Sequence, residues 1–359
     1  TFFRNNLFTL CHLIYTDTFY MKRKWIRWVS WILLTPIILF VILMVLLYVP
    51  PVQNLLRREV TAYASKATGM QIQVERIDLR FPLNLLVRGV EVIQQPDTLL
   101  SLESLNVRVQ AWPLIKGKVE VDEVTLSRVA VNSADLMEGM KIKGVLGRFF
   151  LQSHGVDLSN ELAVINQVEL SDTHMQLLMN DTTTTPKDTT ASAPINWKVA
   201  LHQLKLKNVS FSMQLPADSM RMTAHIGEAA INNAQADLKN QYYDLKKFLL
   251  SGTSVSYDTG TAQPAEGFDA SHIAVRDIRI ALDSLLYKGR DMNAVIREFT
   301  MNERSGLSVT ALTGRAYSND SVICVPSLKL NTPHSEIDLS AHTYWELVNI
   351  PTTGRLSAR

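Results

Sequence analysis

Three hydrophobic patterns follow one another along the chain. Residues 28–49 read WVSWILLTPIILFVILMVLLYV, apolar on every face except at Ser30, Thr35 and Pro36. About 22 residues of helix rise roughly 33 Å, enough to cross a hydrocarbon core. After Pro50 and Pro51 the apolar residues Val52, Leu55, Leu56, Val60 and Tyr63 recur at steps of three and four. This predicts a short amphipathic helix over 50–69, closed by Gly69, with its apolar face packed on the first strands. Beyond Met70 the period changes to two, as in strands whose alternate side chains share a face.

The alternation slips by one residue at recurring polar pairs. Ile72 and Val74 precede Glu75-Arg76, then Ile77 and Leu79 follow; Val119 and Val121 precede Asp122-Glu123, then Val124 and Leu126. The same form recurs in Leu204 and Leu206, Lys207-Asn208, Val209 and Phe211, and in Ile273 and Val275, Arg276-Asp277, Ile278 and Ile280. Weaker copies follow Ile165 and Val325. A one-residue slip turns a strand's side chains over, so each pair is expected to mark a bulge or bend that restores the apolar face. A loose repeat of roughly 40 to 70 residues predicts an extended, stacked sheet rather than a closed globule. Some fourteen strands at about 4.8 Å each span on the order of 65 Å. The polar, Thr-rich stretch 180–194 reads as a flexible surface loop. Leu238, Tyr242, Leu245 and Leu249 suit one face of a helix, whereas Tyr243, Leu245, Val255 and Tyr257 suit a strand.

Charge adds an orientation. The whole chain of 359 residues is near neutral, with 36 Lys+Arg against 34 Asp+Glu, which removes the electrostatic footprint of a nucleic-acid binder. Before residue 31, however, Arg4, Lys22, Arg23, Lys24 and Arg27 face Asp17 alone, which leaves the remainder slightly acidic. Lys22, Arg23, Lys24 and Arg27 immediately precede the apolar stretch, so the positive-inside rule places 1–27 in the cytoplasm and the body across the membrane. The rival reading is a cleaved secretory signal; the length of the apolar run and the lack of a small-residue cleavage site after it favour an uncleaved anchor. Met-Lys-Arg-Lys at 21–24 resembles a natural start, so 1–20 reads as an upstream extension.

Candidate chemistry is sparse. Cys11 and Cys324 form no disulfide framework or CxxC motif, and the eight histidines show no HExxH or HxH spacing. Gly139, Gly144 and Gly147 lack the Lys-Ser/Thr of a phosphate loop, and no GxSxG elbow is present. The carboxylates of Asp122, Glu123 and Asp277 sit in the polar pairs, where solvated bends account for them. The expectation is a protein that is not an enzyme and has no cofactor or metal.

Residues 21–82, MKRKWIRWVSWILLTPIILFVILMVLLYVPPVQNLLRREVTAYASKATGMQIQVERIDLRFP, resemble the N-terminus of AsmA/TamB-type proteins of Gram-negative envelopes. Residues 105–132, LNVRVQAWPLIKGKVEVDEVTLSRVAVN, are similar to a characteristic segment of that family: a strand, a Pro-Leu-and-Gly turn, a second strand and a bend. The resemblance implies a single-pass inner-membrane anchor with the N-terminus in the cytoplasm and an elongated periplasmic β-groove of the bridge-like lipid-transfer type. It also implies a role in phospholipid movement and outer-membrane biogenesis. TamB-type members are longer and end in a domain associated with an outer-membrane barrel partner, so the chain reads as an N-terminal part of such a protein, the alternative being a short AsmA-like member.

The expected fold is therefore mainly β: a transmembrane helix over 28–49, a short amphipathic helix over 50–69, and a repetitive sheet curled into a groove over 70–179 and 195–359. Candidate groove residues are Ile72, Val74, Ile77, Leu79, Val119, Val121, Val124, Leu126, Leu204, Leu206, Val209, Phe211, Val275, Ile278 and Ile280. The expected partners are the inner membrane, phospholipid acyl chains and a barrel assembly protein, with no nucleic acid. The alternative is a non-enzymatic scaffold of a translocation and assembly module, binding polypeptide along a strand edge by β-augmentation.

Overall fold

A computed structural model of the chain describes residues 48–358 apart from 82, 111, 114–119, 134–138, 158–159, 180–195 and 345–353, together with 34–35, 38–39, 41–42 and 45–46. Lys22, Arg23, Lys24, Arg27, Val119 and the Thr-rich stretch lie outside the described residues, as does most of the predicted membrane helix. Its eight described residues between 34 and 46 are helical, and Leu34, Ile38, Leu39, Val41, Ile42, Val45 and Leu46 are exposed there. Among the described residues no helix is long and apolar enough to cross a membrane.

The chain divides into two compact units, Thr1–Arg58 and Glu59–Arg359. Helix α1 (Pro50–Thr68) ends where the Gly69 amide donates to the Ser65 carbonyl at 3.0 Å, with Gly69 at φ +70°. That left-handed conformation is the usual C-terminal stop of a helix. Contrary to the packing expected of them, Leu55, Leu56, Val60 and Tyr63 are exposed. Beyond Arg58 the half-buried positions of the helix are instead Thr61, Ala64 and Ser65, and the Ser65 hydroxyl accepts from the Ile72 amide at 3.1 Å, so small and polar side chains line the covered side of this stretch.

Among the described residues the strands after α1 form one open sheet. Its strands are β1 (Gln71–Arg80), β2 (Asn84–Gln94), β3 (Asp97–Val109), β4 (Val121–Asn132), β5 (Met140–Asp157), β6 (Leu162–Met179), β7 (Lys198–Leu215) and β8 (Met220–Asp237). They continue as β9 (Tyr242–Asp258), β10 (His272–Lys288), β11 (Asp291–Glu303), β12 (Ser308–Val309), β13 (Ala311–Ser318), β14 (Val322–Thr332), β15 (Ser335–Tyr344) and β16 (Gly354–Ala358). Fifteen strands pair in chain order, with β12 joined to β11 off the path. The stretch around Tyr242 to Leu249 is strand. Every neighbouring pair runs antiparallel except β6 and β7, which are parallel.

No large side chain is fully enclosed among the described residues. Among the described residues the buried apolar set is Leu99, Leu102, Ala163, Ala229, Ala281 and Val309, small or peripheral for a chain this long. The ladder of backbone hydrogen bonds and cross-strand side-chain pairs, worth about 0.2–1 kcal/mol each, therefore carries the fold in place of a central core.

The slips in alternation are aligned from strand to strand. Val74 pairs with Val90 and Ile77 with Val87, so both strands take a three-residue step at the same level. The step continues through 102/105, 126/129, 146/149, 170/173, 206/209 and 226/229. It forms a seam across the sheet through Glu75, Gly89, Glu103, Arg128, Gly147, Asp172, Asn208 and Gly227. Left-handed backbone makes the step in Gly89, Arg128, Asp172 and Asn208, at φ +57°, +47°, +51° and +53°. Opposite them the backbone needs room: a Cβ on Gly147 would stand 2.9 Å from the Asp172 carbonyl oxygen, and one on Gly227 2.8 Å from that of Gly252.

A second seam runs parallel to the first. At Asp122 the register changes from Arg108 opposite Glu123 to Val109 opposite Val121. Asn166, His202 and Asn233 stand at the same level in β6, β7 and β8, with Asn233 at φ +57°. The polar pairs seen in the sequence thus belong to two different seams, and the unit that repeats is the single strand with its three-residue step.

Loop 259–271 between β9 and β10 is tied by one carboxylate. Asp269 accepts hydrogen bonds from the amides of Ala265 (3.1 Å) and Ser271 (2.9 Å) and contacts His272 Nδ1 at 2.8 Å. These donors, the Ala265 amide foremost, hold its carboxyl well below 3.8, at about 2. A depressed carboxylate pKa stabilises the fold fully above the unfolded value, and that contribution disappears as pH falls from about 3.8 through about 2. The Asp269 carboxyl carbon followed by NMR should accordingly titrate near 2, and Asp269→Asn should abolish this part of the acid transition.

Crowding at the seam leads to a second expectation. Gly227→Ala should destabilise the sheet by about 1–3 kcal/mol in urea unfolding, because backbone must move. Asn208→Gly should be tolerated, whereas Asn208→Val should cost about 1–2 kcal/mol for its left-handed backbone.

Candidate functional site

Residues directly opposite on neighbouring strands point to the same side of a sheet, so register alone identifies each face. One row runs Ile77, Val87, Leu105, Leu126, Phe149, Leu170, Leu206, Ala229, Leu250, Ile280 and Phe299 from β1 to β11. Beside it run Leu79, Leu85, Val107, Val124, Leu151, Val168, Leu204, Ile231, Phe248 and Leu282. Across the first seam come Val74, Val90, Leu102, Val129, Leu146, Thr173, Val209 and Ile226, then Ile72, Val92, Leu100 and Val131. All these rows share one face.

The structure brings together every described groove candidate. Leu79, Val124 and Leu204 share one row, and Ile77, Leu126, Leu206 and Ile280 share the next. Val74, Val209 and Ile278 lie across the first seam, with Ile72, Phe211 and Val275 beyond them. Val121 lies across the second seam, opposite Val109. Phe211 is exposed and the others are half-buried. Rows missed in the sequence lie on β2, β5, β8 and β9, where glycines 89, 147, 227 and 252 occupy the step and no polar pair advertises it. A glycine between two apolar residues three apart was the available signal.

The other face is polar and internally neutralised. Opposite charges stand directly across from one another in Arg108 and Glu123 (3.0 Å), Lys205 and Glu169 (3.5 Å), Lys198 and Asp237 (3.5 Å), and Lys329 and Asp338 (3.9 Å). Such exposed pairs contribute little stability but hold this face in water. Arg128 pairs with Glu103 across the first seam, and Asn208 donates to Asp172 at 2.8 Å. The polar-pair carboxylates are hydrogen-bonded: Asp122 accepts from Gln110 at 2.7 Å, and Asp277 from Asn302 at 3.2 Å.

Histidines are spread over separate contacts, such as His225 with Ser210 (2.9 Å) and His154 with Asn166 (2.9 Å). Among the described residues no three His, Cys, Asp or Glu converge as a metal site. The Cys324 thiol lies within hydrogen-bonding reach of the Tyr317 phenol and raises that group's pKa.

No family model matches the chain, and no curated protein matches it. The site consequently stands on its geometry: a broad apolar surface, half-open to solvent, backed by a charged surface on the same strands. A sheet in water needs something on such a face. Its rows of Leu, Ile, Val and Phe offer dispersion contacts, with Thr173 the polar side chain among those named.

Neighbouring rows should couple only locally. Leu105→Ala and Leu126→Ala, directly opposite, should show a coupling of about 0.2–1 kcal/mol in a double-mutant cycle. Leu105→Ala with Leu206→Ala, four strands apart, should be additive.

Proposed function

We propose that this chain is an inner-membrane-anchored envelope protein whose sheet curls into a groove and carries phospholipids toward the outer membrane. The continuous apolar face, whose steps are aligned across the eight neighbouring strands β1 to β8, carries this reading. Support for the anchor is the apolar run 28–49 behind Lys22, Arg23, Lys24 and Arg27, and for the pathway the AsmA/TamB resemblance of 21–82 and 105–132. The reading is non-enzymatic. Acyl chains slide over Leu, Ile, Val and Phe, and the opposite face remains in water. Burying apolar lipid and protein surface together is favourable by about 25 cal/mol per Å², without specific headgroup chemistry.

Among the described residues β1 pairs on one side only, and this edge favours a second reading, a scaffold that adds polypeptide strands there. The two separate in one experiment. A photocrosslinking amino acid at Leu206, on the apolar face, should capture phospholipid in cells, and one at Lys207, on the other face, should not. Polypeptide adducts at Leu206 with no lipid would overturn the lipid reading in favour of the scaffold.

Charge on the face should stop transfer. Leu206→Glu is expected to reduce movement of a fluorescent phospholipid between vesicles severalfold while costing about 1 kcal/mol of stability, because Leu206 is only half-buried. Lys207→Glu should leave transfer unchanged.

A further inference from the structure

The two long rims of the sheet differ in chemistry. One rim collects the β1–β2, β3–β4, β5–β6, β8–β9, β10–β11 and β13–β14 connections and, because β6 and β7 are parallel, the starts of both of those strands. It carries exposed aromatics along its length: Phe81 (85% exposed), Trp112 (70%), Tyr243 (42%), Tyr287 (39%) and Tyr344 (50%). The opposite rim holds the β2–β3, β7–β8, β9–β10 and β14–β15 connections, where Phe268 is the exposed aromatic among the described residues.

Tyr243 and Tyr287 show what this asymmetry does. They stand opposite one another at the end of the apolar face, ring centroids 6.0 Å apart, two positions beyond the Leu245–Leu285 pair. Met292 faces Tyr287 on β11. Tyrosine has an apolar body and a polar tip, and it concentrates where hydrocarbon meets water. Exposed Lys239 and Arg290 lie in the two turns just beyond, and exposed Lys288 ends β10. Of the carboxylates beside them, Asp244 is engaged by Lys246 at 2.7 Å and Asp237 by Asn240 and Lys198, while exposed Asp291 stands opposite Lys288; Lys198, Lys239, Lys246, Lys288 and Arg290 outnumber these three acids. At the far end of β9 and β10 the loop 259–271 contains Glu266 and Asp269 and no Lys or Arg.

We infer that the aromatic rim receives the phosphate-bearing head of a glycerophospholipid whose acyl chains lie on the apolar face, so that bound lipids share one orientation across the strands. This deepens the lipid reading above and rests on it. Cations and phenols at one rim attract a phosphodiester, whereas the loop at the other carries exposed Glu266 and offers it no Lys or Arg.

Two photoactivatable phosphatidylethanolamines test it on the full chain, one with a diazirine in the headgroup and one with a diazirine at the end of an acyl chain. The headgroup probe should label peptides containing Tyr243 and Tyr287 to Met292, and the chain probe those containing Phe248, Leu250 and Ile280. Lys239→Ser with Lys288→Ser should lower headgroup labelling at this rim severalfold and leave chain labelling in place; unchanged headgroup labelling would overturn the phosphate contact. Headgroup label on residues 259–271, or divided equally between the rims, overturns the orientation while the lipid reading stands. Labelling by neither probe removes both.

Discussion

The three-residue step is the constraint on which the rest of this sheet depends. A regular strand ten to eighteen residues long, the range from β1 to β8, keeps one face by strict alternation. Here the apolar residues shift phase within each strand, and only a local change of backbone returns them to the same side. One strand stepping alone would tear its ladder. Because Val74/Ile77 on β1 meets Val90/Val87 on β2, and every neighbour to β8 repeats the step at the same level, pairing continues on both sides of the seam.

Residue choice at the seam follows from that requirement. Gly89, Asp172 and Asn208 adopt left-handed backbone, which glycine reaches freely and Asn and Asp tolerate through local hydrogen bonding. Arg128 is the unusual occupant, and its pairing with Glu103 across the seam accompanies the conformation. Gly147 and Gly227 serve the other purpose, allowing the neighbouring strand's backbone to approach closer than a Cβ permits. A seam built this way divides each strand into two straight segments without interrupting its apolar face.

Such a sheet has little interior. Stability spreads along the ladder instead of concentrating in a core, and contacts join strands adjacent in sequence, apart from β11, which pairs with β13 past the short β12. Local pairing of this kind favours propagation strand by strand. It also leaves the apolar face half-open along its length, the condition in which a protein surface can accept a mobile apolar ligand.

Alternation was legible in the amino-acid sequence because the side-chain period of a strand is a local property, and so were the bulges wherever a polar pair interrupts it. Leu204, Leu206, Val209 and Phe211 could be assigned to one face from the chain alone. Glycine steps on β2, β5, β8 and β9 were not legible, since glycine marks backbone freedom without saying which strand must come close. Likewise the sequence of α1 defines an apolar stripe, yet its exposure follows from what stands nearby. Tertiary structure decided which slips belong to one seam, that β6 and β7 run parallel, and that aromatic residues far apart in sequence line a single rim. Those are matters of register between strands, set by hydrogen bonds whose partners no single segment contains.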